Sequence, residues 1–443
     1  MNKTLNYKKE LKELFHSACT SADPGHAIER NITLTNNKLK IANKTYSLNT
    51  IKRIFIYGFG KASLQMAKRI NDILQNRIYR GIVLSHQNRI KKIGKIKILK
   101  ADHPLPGKNT FENSKILIDS FKAIEEDDLV IFLISGGGSA MFEVLPDTID
   151  PKNYTELLKK ILKCPAPIEA INRFRTFISQ VKGSQVLSFI KAERVHALIV
   201  SDVIEDDLKS IASGPTVPIT IKKKEATDFI KKYGLSASIP EDIASYIQHQ
   251  PAVKKMRLAP VRQMTNSIIS NNRRALKGIE EKAKKLKYNT QILTCSLQGE
   301  ARYAGIFLSA IAKYYSHNCS THELPYCIIS GGETTVTVKG KGKGGRNQEL
   351  ALGFAGGIKG YSNIFLLSAG TDGIDGFTDA AGAFVSEMTL KKAHKKKLSV
   401  TDHLDNNDSY HYFKRTDDLF ITGPTGTNVM DVQIILIFNK KRG

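Results

Sequence analysis

Two short stretches carry residue types suited to phosphoryl transfer. Gly344-Gly345-Arg346-Asn347-Gln348-Glu349 sets an arginine on a glycine-rich turn where a helical pattern, Leu350-Ala351-Leu352, begins. Thr371-Asp372-Gly373-Ile374-Asp375-Gly376 sets two carboxylates on a tight turn behind an apolar run, Ile364 to Leu367. Moving a phosphoryl group needs a cation to offset charge on the phosphate. It also needs an acid to hold a divalent ion or take a proton. The second stretch is not an EF-hand loop, because Ile374 occupies a ligand position. Asp372 and Asp375, with Asp379 beyond them, are candidates for holding Mg²⁺ through waters or for orienting substrate hydroxyls. A glycine-acid hairpin turn is the alternative for any one of them.

Other glycine turns have the same strand-then-turn form. Gly58-Phe59-Gly60-Lys61-Ala62-Ser63 is not a Walker loop, because Phe55 and Ala62 stand where glycine and Ser/Thr are needed. It is not a complete dinucleotide fingerprint either. The next strand, Gly81 to Leu84, ends in Ser85-His86 and lacks the ribose-binding acid. What remains is a helix N-terminus with free N–H groups beside Lys61, an anion site built on Gly58 and Gly60. A tight turn with a surface lysine is the plainer reading. Ser135-Gly136-Gly137-Gly138-Ser139 is stronger: three glycines behind a buried strand let the backbone offer successive N–H donors to phosphate or carboxylate. Gly331-Gly332-Glu333 repeats the pattern, and Glu333 is placed to bind a metal, orient Arg346 or cap its own turn. Asp202, directly at the end of the strand Ala197 to Val200, is a better functional candidate than Asp206 and Asp207. His103, in the rigid loop Asp102-His103-Pro104-Leu105-Pro106, reads as a structural hydrogen-bonder.

These turns must be positioned by strands. Apolar runs of β-rich residues alternate with helical patterns such as Ala62 to Gln75 and Arg274 to Leu286. That alternation predicts α/β domains with largely parallel, Rossmann-like sheets, which bind ligands beyond the carboxyl ends of their strands. At 443 residues two domains are expected. The boundary is placed in the polar stretch Asn318 to Pro325, giving domains 1–322 and 323–443, with a lysine-rich helical excursion at 217–258.

Bulk properties exclude several classes. No run of eighteen apolar residues exists to span a membrane. The first ten residues lack a signal-peptide core. Five cysteines without a C-x-x-C pair fit free thiols in a reducing cytoplasm. The net charge of +25 is spread over scattered lysines, with no tryptophan and no arginine-rich arm. It reads as solvated lysines of a lysine-rich composition, with some benefit for an anionic substrate, rather than as a nucleic-acid footprint. No G-x-S-x-G elbow, H-E-x-x-H helix or zinc pair is visible.

Taken in order, many segments resemble the glycerate 2-kinases of the class whose C-terminal part is called the MOFRL domain. They include Gly58 to Ser63, His103-Pro104-Leu105-Pro106, Leu133 to Ala140, Ser201-Asp202-Val203 and Ile211 to Thr216. Gly299 to Arg302, Gly331 to Glu333, Gly344 to Glu349, Thr371 to Gly376, Thr378 to Gly382 and Gly423 to Val429 complete them. The resemblance implies two α/β domains around an interdomain cleft. It also implies ATP- and Mg²⁺-dependent phosphorylation of D-glycerate at its 2-hydroxyl, giving 2-phosphoglycerate. On that basis Lys61 and Arg346 are needed for activity, and Lys61 with the turn Ser135 to Ser139 cradles anionic groups. Arg346 stabilises the transferred phosphoryl group, and Asp202 or Asp372 binds Mg²⁺ or relays the hydroxyl proton. A homodimer stays open. So do a related hydroxy acid as acceptor, a hydroxypyruvate reductase and a non-catalytic relative. Where the family usually reads Lys-His and then Lys-Gly-Gly, this chain has Thr176-Phe177 and Lys182-Gly183-Ser184, in a segment expected to face the cleft.

Overall fold

The computed structural model describes residues 7–87, 89–254, 261–320 and 322–439. The first six residues, and residues 255–258 of the expected excursion, lie outside the described residues. Contacts divide the chain into two units. One is Pro24–Ile269; the other joins the chain up to Asp23 to the chain from Ser270 onward.

In the first unit β1 (Ile32–Leu34), β2 (Lys38–Ile41) and β3 (Lys44–Ser47) form an antiparallel meander. The apolar runs then become interior strands: β4 (Ile54–Phe59), β5 (Ile78–Ser85), β6 (Lys92–Ile93), β7 (Ile96–Lys100), β8 (Leu129–Ser135) and β9 (Arg194–Val200). Residues 221–254 carry a small antiparallel clip, β10 (Ile221–Lys222) with β11 (Val253–Lys254), and β12 (Gln263–Ser270) completes the main sheet. Its order is β12-β9-β8-β4-β5-β7-β6. β4 pairs parallel with β5 and β8, and β8 parallel with β9. β4 and β8 are buried at every residue, so both faces must be covered; that explains their unbroken apolar composition.

The excursion is more than a surface decoration. Ile219, Phe229, Ile243 and Ile247 are buried in one cluster with Tyr154, Leu157, Phe174 and Phe177. Thr176 and Phe177 lie on the helix Ile168–Ile178 and are buried. Phe177 belongs to that core, and Thr176 Oγ1 donates to the Asn172 carbonyl at 2.7 Å. The Lys-His departure is therefore absorbed by packing: these two side chains point into the unit's own core, whereas the segment is expected from sequence to face the cleft. Ser184, standing for a glycine, keeps the left-handed backbone at φ 65°.

The second unit departs from the sequence expectation in two respects. Its sheet, in the order β13-β14-β18-β15-β16-β17, contains β13 (Asn289–Leu297), β14 (Tyr326–Gly332), β15 (Ile364–Gly370), β16 (Gly382–Val385), β17 (Leu419–Phe420) and β18 (Asp431–Ile437). Only β13 and β14 pair in parallel among these strands; β18 enters between β14 and β15 and runs antiparallel to both. The sheet is mixed, because the last strand of the chain fills its middle. The division at 322/323 is also corrected. β13 hydrogen-bonds along β14, so residues from 270 onward belong with the second sheet. The N-terminal helix Tyr7–Ala22 joins the same unit. It packs on the helix Asn272–Lys285, where a Cβ at Gly278 would collide with Ser21 and the Ser17 carbonyl.

No helix among the described residues is long and apolar enough to cross a membrane. All five cysteines are free.

Candidate functional site

In the first unit two strand ends meet. β4 runs into Gly60, whose φ of 114° is closed to ordinary side chains and whose Cβ position is filled by the Ser135 carbonyl. Lys61 N then donates to Gly136 O at 2.9 Å, and Ala62 N to Ser135 Oγ at 3.0 Å. The two glycine turns thus hold each other through one backbone bond and one to the Ser135 hydroxyl. Gly58 serves packing instead: a Cβ there would lie 3.1 Å from Leu133 and Val83 on the neighbouring strands. Gly138 likewise packs on Ala212 and Phe59.

Around this junction stand Lys61, Asp202, His103 and His86. A Cβ at Gly136 would run into the Asp202 carboxylate, and one at Gly137 would lie 3.1 Å from His103 Nε2 and 3.3 Å from Lys61 Cγ. Three consecutive glycines are required because side chains from three other segments crowd them. Burial raises the Asp202 pKa, against the pull of the Lys61 charge. Burial, then Lys61 and His86, push His103 down to about 4, and burial and Lys61 also lower His86. Both imidazoles are thus disfavoured as cations beside Lys61. His103 reads from sequence as structural and His86 only as a strand terminus. Their closeness to Lys61 has no local signal.

Behind the turn, Arg175 NH2 donates to Ser139 O at 2.9 Å, and Ser139 Oγ meets Ser213 Oγ at 2.9 Å. Glu143 is fully buried and accepts from Lys182 Nζ at 2.7 Å, Tyr154 OH at 3.0 Å and Ser179 Oγ at 2.5 Å. This network, satisfied around Glu143 though Arg175 Nε has no hydrogen-bond partner among the described residues, braces the segment that follows the glycines. Sequence reasoning missed it, because Glu143 and Lys182 are far apart in the chain.

In the second unit Arg346 opens the helix Arg346–Gly357. Its Nε and NH2 bind Asp431 at 2.6 and 2.9 Å, and NH1 reaches Glu333 at 2.9 Å. Burial pulls the arginine pKa down, but the bond to Asp431 and the charges of Asp431 and Glu333 outweigh it and raise it. Asp431 is buried, and its own pKa is raised by desolvation against Arg346. It sits at the start of β18 opposite Gly332 on one side and Gly370 on the other. Gly332 takes φ 148° with a Cβ position blocked by Leu297 backbone, so it shapes the sheet edge beside Glu333. Asp431 was not anticipated; nothing in its local sequence marks it.

The two acids of the 371–376 turn have different surroundings. Asp375 is buried and accepts from Asn347 N at 3.1 Å, Gln348 N at 2.9 Å and Gln348 Nε2 at 3.0 Å. It caps the helix that carries Arg346, and a Cβ at Gly345 would strike it. Burial raises its pKa to about 6, with the two backbone amides opposing. Asp372 is more open, and its Oδ1 accepts from Ile374 N at 3.0 Å. Among the described residues no three His, Cys, Asp or Glu side chains gather as a metal cage.

Comparison with known proteins agrees with these motifs. Residues 10–248 match a family model described as a domain of unknown function (DUF4147), and residues 326–431 match the MOFRL family. The chain is 34% identical to a glycerate 2-kinase of Pyrococcus horikoshii, covering 97% of each. It is 37% identical to a D-glycerate 2-kinase of Thermotoga maritima over 87% of this chain and 91% of that one. A crystal structure of glycerate kinase from Thermotoga maritima superposes with a TM-score of 0.84 at 35% identity, covering 97% and 99% of the two chains. A second crystal structure, of a protein from Pyrococcus horikoshii OT3, gives the same TM-score of 0.84 at 32% identity, covering 98% and 99% of the two chains. With both family models matched in order and relatives aligned nearly end to end, the chain belongs to the glycerate 2-kinase family with a C-terminal MOFRL domain.

Proposed function

We propose that the protein transfers the γ-phosphoryl group of ATP to the 2-hydroxyl of D-glycerate, giving 2-phosphoglycerate and ADP. The observation that carries this reading is the Lys61–Asp202 pair set around Gly136 and Gly137, in a chain aligned almost end to end with glycerate 2-kinases. The acceptor oxygen attacks phosphorus, the bond from the γ-phosphorus to the bridging oxygen breaks, and the hydroxyl proton passes to a carboxylate. Asp202 suits that last role, because burial raises its proton affinity, against the opposing pull of the Lys61 charge. Lys61 and the N–H groups of Ser135 to Ser139 hold anionic groups of the substrates. Arg346, fixed by Asp431, offsets charge on the transferred group. Glu333 and Gly332 shape the edge beside it.

Mg²⁺ fits this donor set without a cage, since it commonly binds through one or two carboxylates plus substrate phosphates and waters. Asp202 in the first unit and Asp372 in the second are each a candidate carboxylate for it. Asp375 is the weakest of the three candidates, since both its oxygens accept amide protons. When bound, the ion would neutralise phosphate charge. Free cysteines and the lack of any nucleic-acid motif support a cytoplasmic enzyme of small-molecule metabolism.

A coupled ADP-release assay over a panel of hydroxy acids, with ³¹P NMR of the product, tests the assignment. ADP release with D-glycerate and a phosphorus signal at the 2-position are expected. NADH oxidation with hydroxypyruvate, without ADP release, would instead make it a reductase. Lys61→Ala and Arg346→Ala should each lower kcat about 100-fold or more, the cost of losing one preorganised charge partner.

A further inference from the structure

A cavity of about 590 Å³ opens beside Arg346 in the second unit. Thr335, Val336, Val338, Lys343, Arg346 and Phe377 contribute to its walls. The volume suits a ligand of nucleoside size. D-glycerate is far smaller and polar at every carbon, so it does not match such walls. Phe377 is 100% exposed and Val338 73%. A bare phenyl ring and a bare valine on one cavity are apolar surface waiting for a flat apolar partner.

The wall is preformed. Asn407 Oδ1 accepts from Lys339 N at 2.8 Å and Gly340 N at 3.0 Å, Asn406 Oδ1 from Lys341 N at 3.0 Å, and Asp408 Oδ1 from Lys343 N at 2.9 Å. The glycines at 340 and 342 lie on the 406–408 turn where no Cβ fits. With Gly342 N donating to Asn406 O at 2.9 Å, every backbone N–H from 339 to 343 is pinned to one turn, and a ligand need not order the loop on binding. Lys343 and Arg346 place two cations on the same cavity. Glu333 and Glu349 line it too, but Glu349 is paired with Arg302, so Lys343 is the lining cation left to meet an anionic tail beside the Arg346–Glu333 pair.

We propose that this cavity takes the nucleoside of the phosphoryl donor, with the base against Phe377 and Val338 and the polyphosphate towards Lys343 and Arg346. The assignment rests on the kinase reading for the identity of the donor. It adds where the base is held, a question that the catalytic cluster around Lys61 leaves open.

The chain contains no tryptophan, so Phe377→Trp installs a single tryptophan on the cavity wall, whose emission is read with excitation at the red edge of indole absorption to avoid the tyrosines. Its emission should change saturably with ATP and with adenosine, and stay constant with D-glycerate or inorganic tripolyphosphate alone. Phe377→Ala should raise the KM for ATP about tenfold, the loss of one base stack, with the KM for D-glycerate unchanged. Because Phe377 is wholly exposed, neither variant threatens folding. Turnover by Phe377→Ala with an ATP KM within about twofold of the native enzyme, together with a silent Phe377→Trp, overturns the proposal. Absence of ADP release by the native enzyme with every hydroxy acid overturns the kinase reading instead. An emission response to adenosine in that case still supports the cavity.

Discussion

Arg346 and Asp431, 85 residues apart in the chain, form a two-bond fork in which Nε and NH2 meet the two carboxylate oxygens at 2.6 and 2.9 Å. The fork fixes the plane of the guanidinium, and the third nitrogen turns to Glu333. Asp431→Asn keeps the shape but removes the charge that holds the arginine. We expect kcat to fall about 100-fold with little change in the KM for glycerate, and stability to drop by about 2 kcal/mol. Arg346→Lys should not restore activity, because an ammonium cannot make the fork. Steady-state kinetics and urea denaturation of the two variants check this. Near-native kcat in Asp431→Asn would remove the positioning role.

Gly136 sets the place of Asp202. Gly136→Ala inserts a methyl group where the carboxylate lies, so the acid must move. Activity should fall about 100-fold or more, with about 1–3 kcal/mol lost to overpacking. Asp202→Asn should be as inactive yet no less stable, because a desolvated charge has been removed. If Gly136→Ala turns over normally, Asp202 is not the proton acceptor.

Two histidines make the fold sensitive to acid. Burial, first of all, pushes both His103 and His196 down to about 4, and His196 is bonded at both ring nitrogens by Tyr46 and Ser267. Between pH 4 and the ordinary value of 6.5 the unfolded chain binds protons that the folded chain refuses. Stability therefore rises with pH through that window and is lost as pH falls from 6.5 towards 4. Urea midpoints across this range should show the slope, and His196→Gln should flatten it. NMR titration of His103 should move upward in Lys61→Met without reaching 6.5, since burial, the larger cause, remains.

The Glu143–Lys182 pair is buried on both sides, with side-chain exposures of 0% and 1%. Burial lowers the lysine pKa to about 8, with Glu143 opposing. Lys182→Met alone strands a buried carboxylate and should cost about 3–5 kcal/mol. The double change Glu143→Leu with Lys182→Met should recover only part of that loss, because Tyr154 OH and Ser179 Oγ also lose their acceptor. Denaturation of the two single variants and the double variant measures the coupling, and strict additivity would show that the pair is not acting as one.

Much of the site was legible because it depends on local turn chemistry. Gly60 and Gly137 are glycines at positive φ, and three successive glycines behind β8 announce crowding that only glycine tolerates. The buried runs of β4 and β8, Lys61 and Arg346 are likewise plain in the sequence, as is the family. The partners of these residues were not. Asp431 reaches Arg346 only because β18, the last strand, inserts between β14 and β15 with glycine on both sides of it. His86 joins Lys61 through the pairing of β4 with β5, and Asp375 turns out to cap the arginine's own helix. Composition and spacing determine which short segments can turn, bury or carry charge. Which distant segment closes on each is decided by strand order and packing, which depend on the whole chain at once.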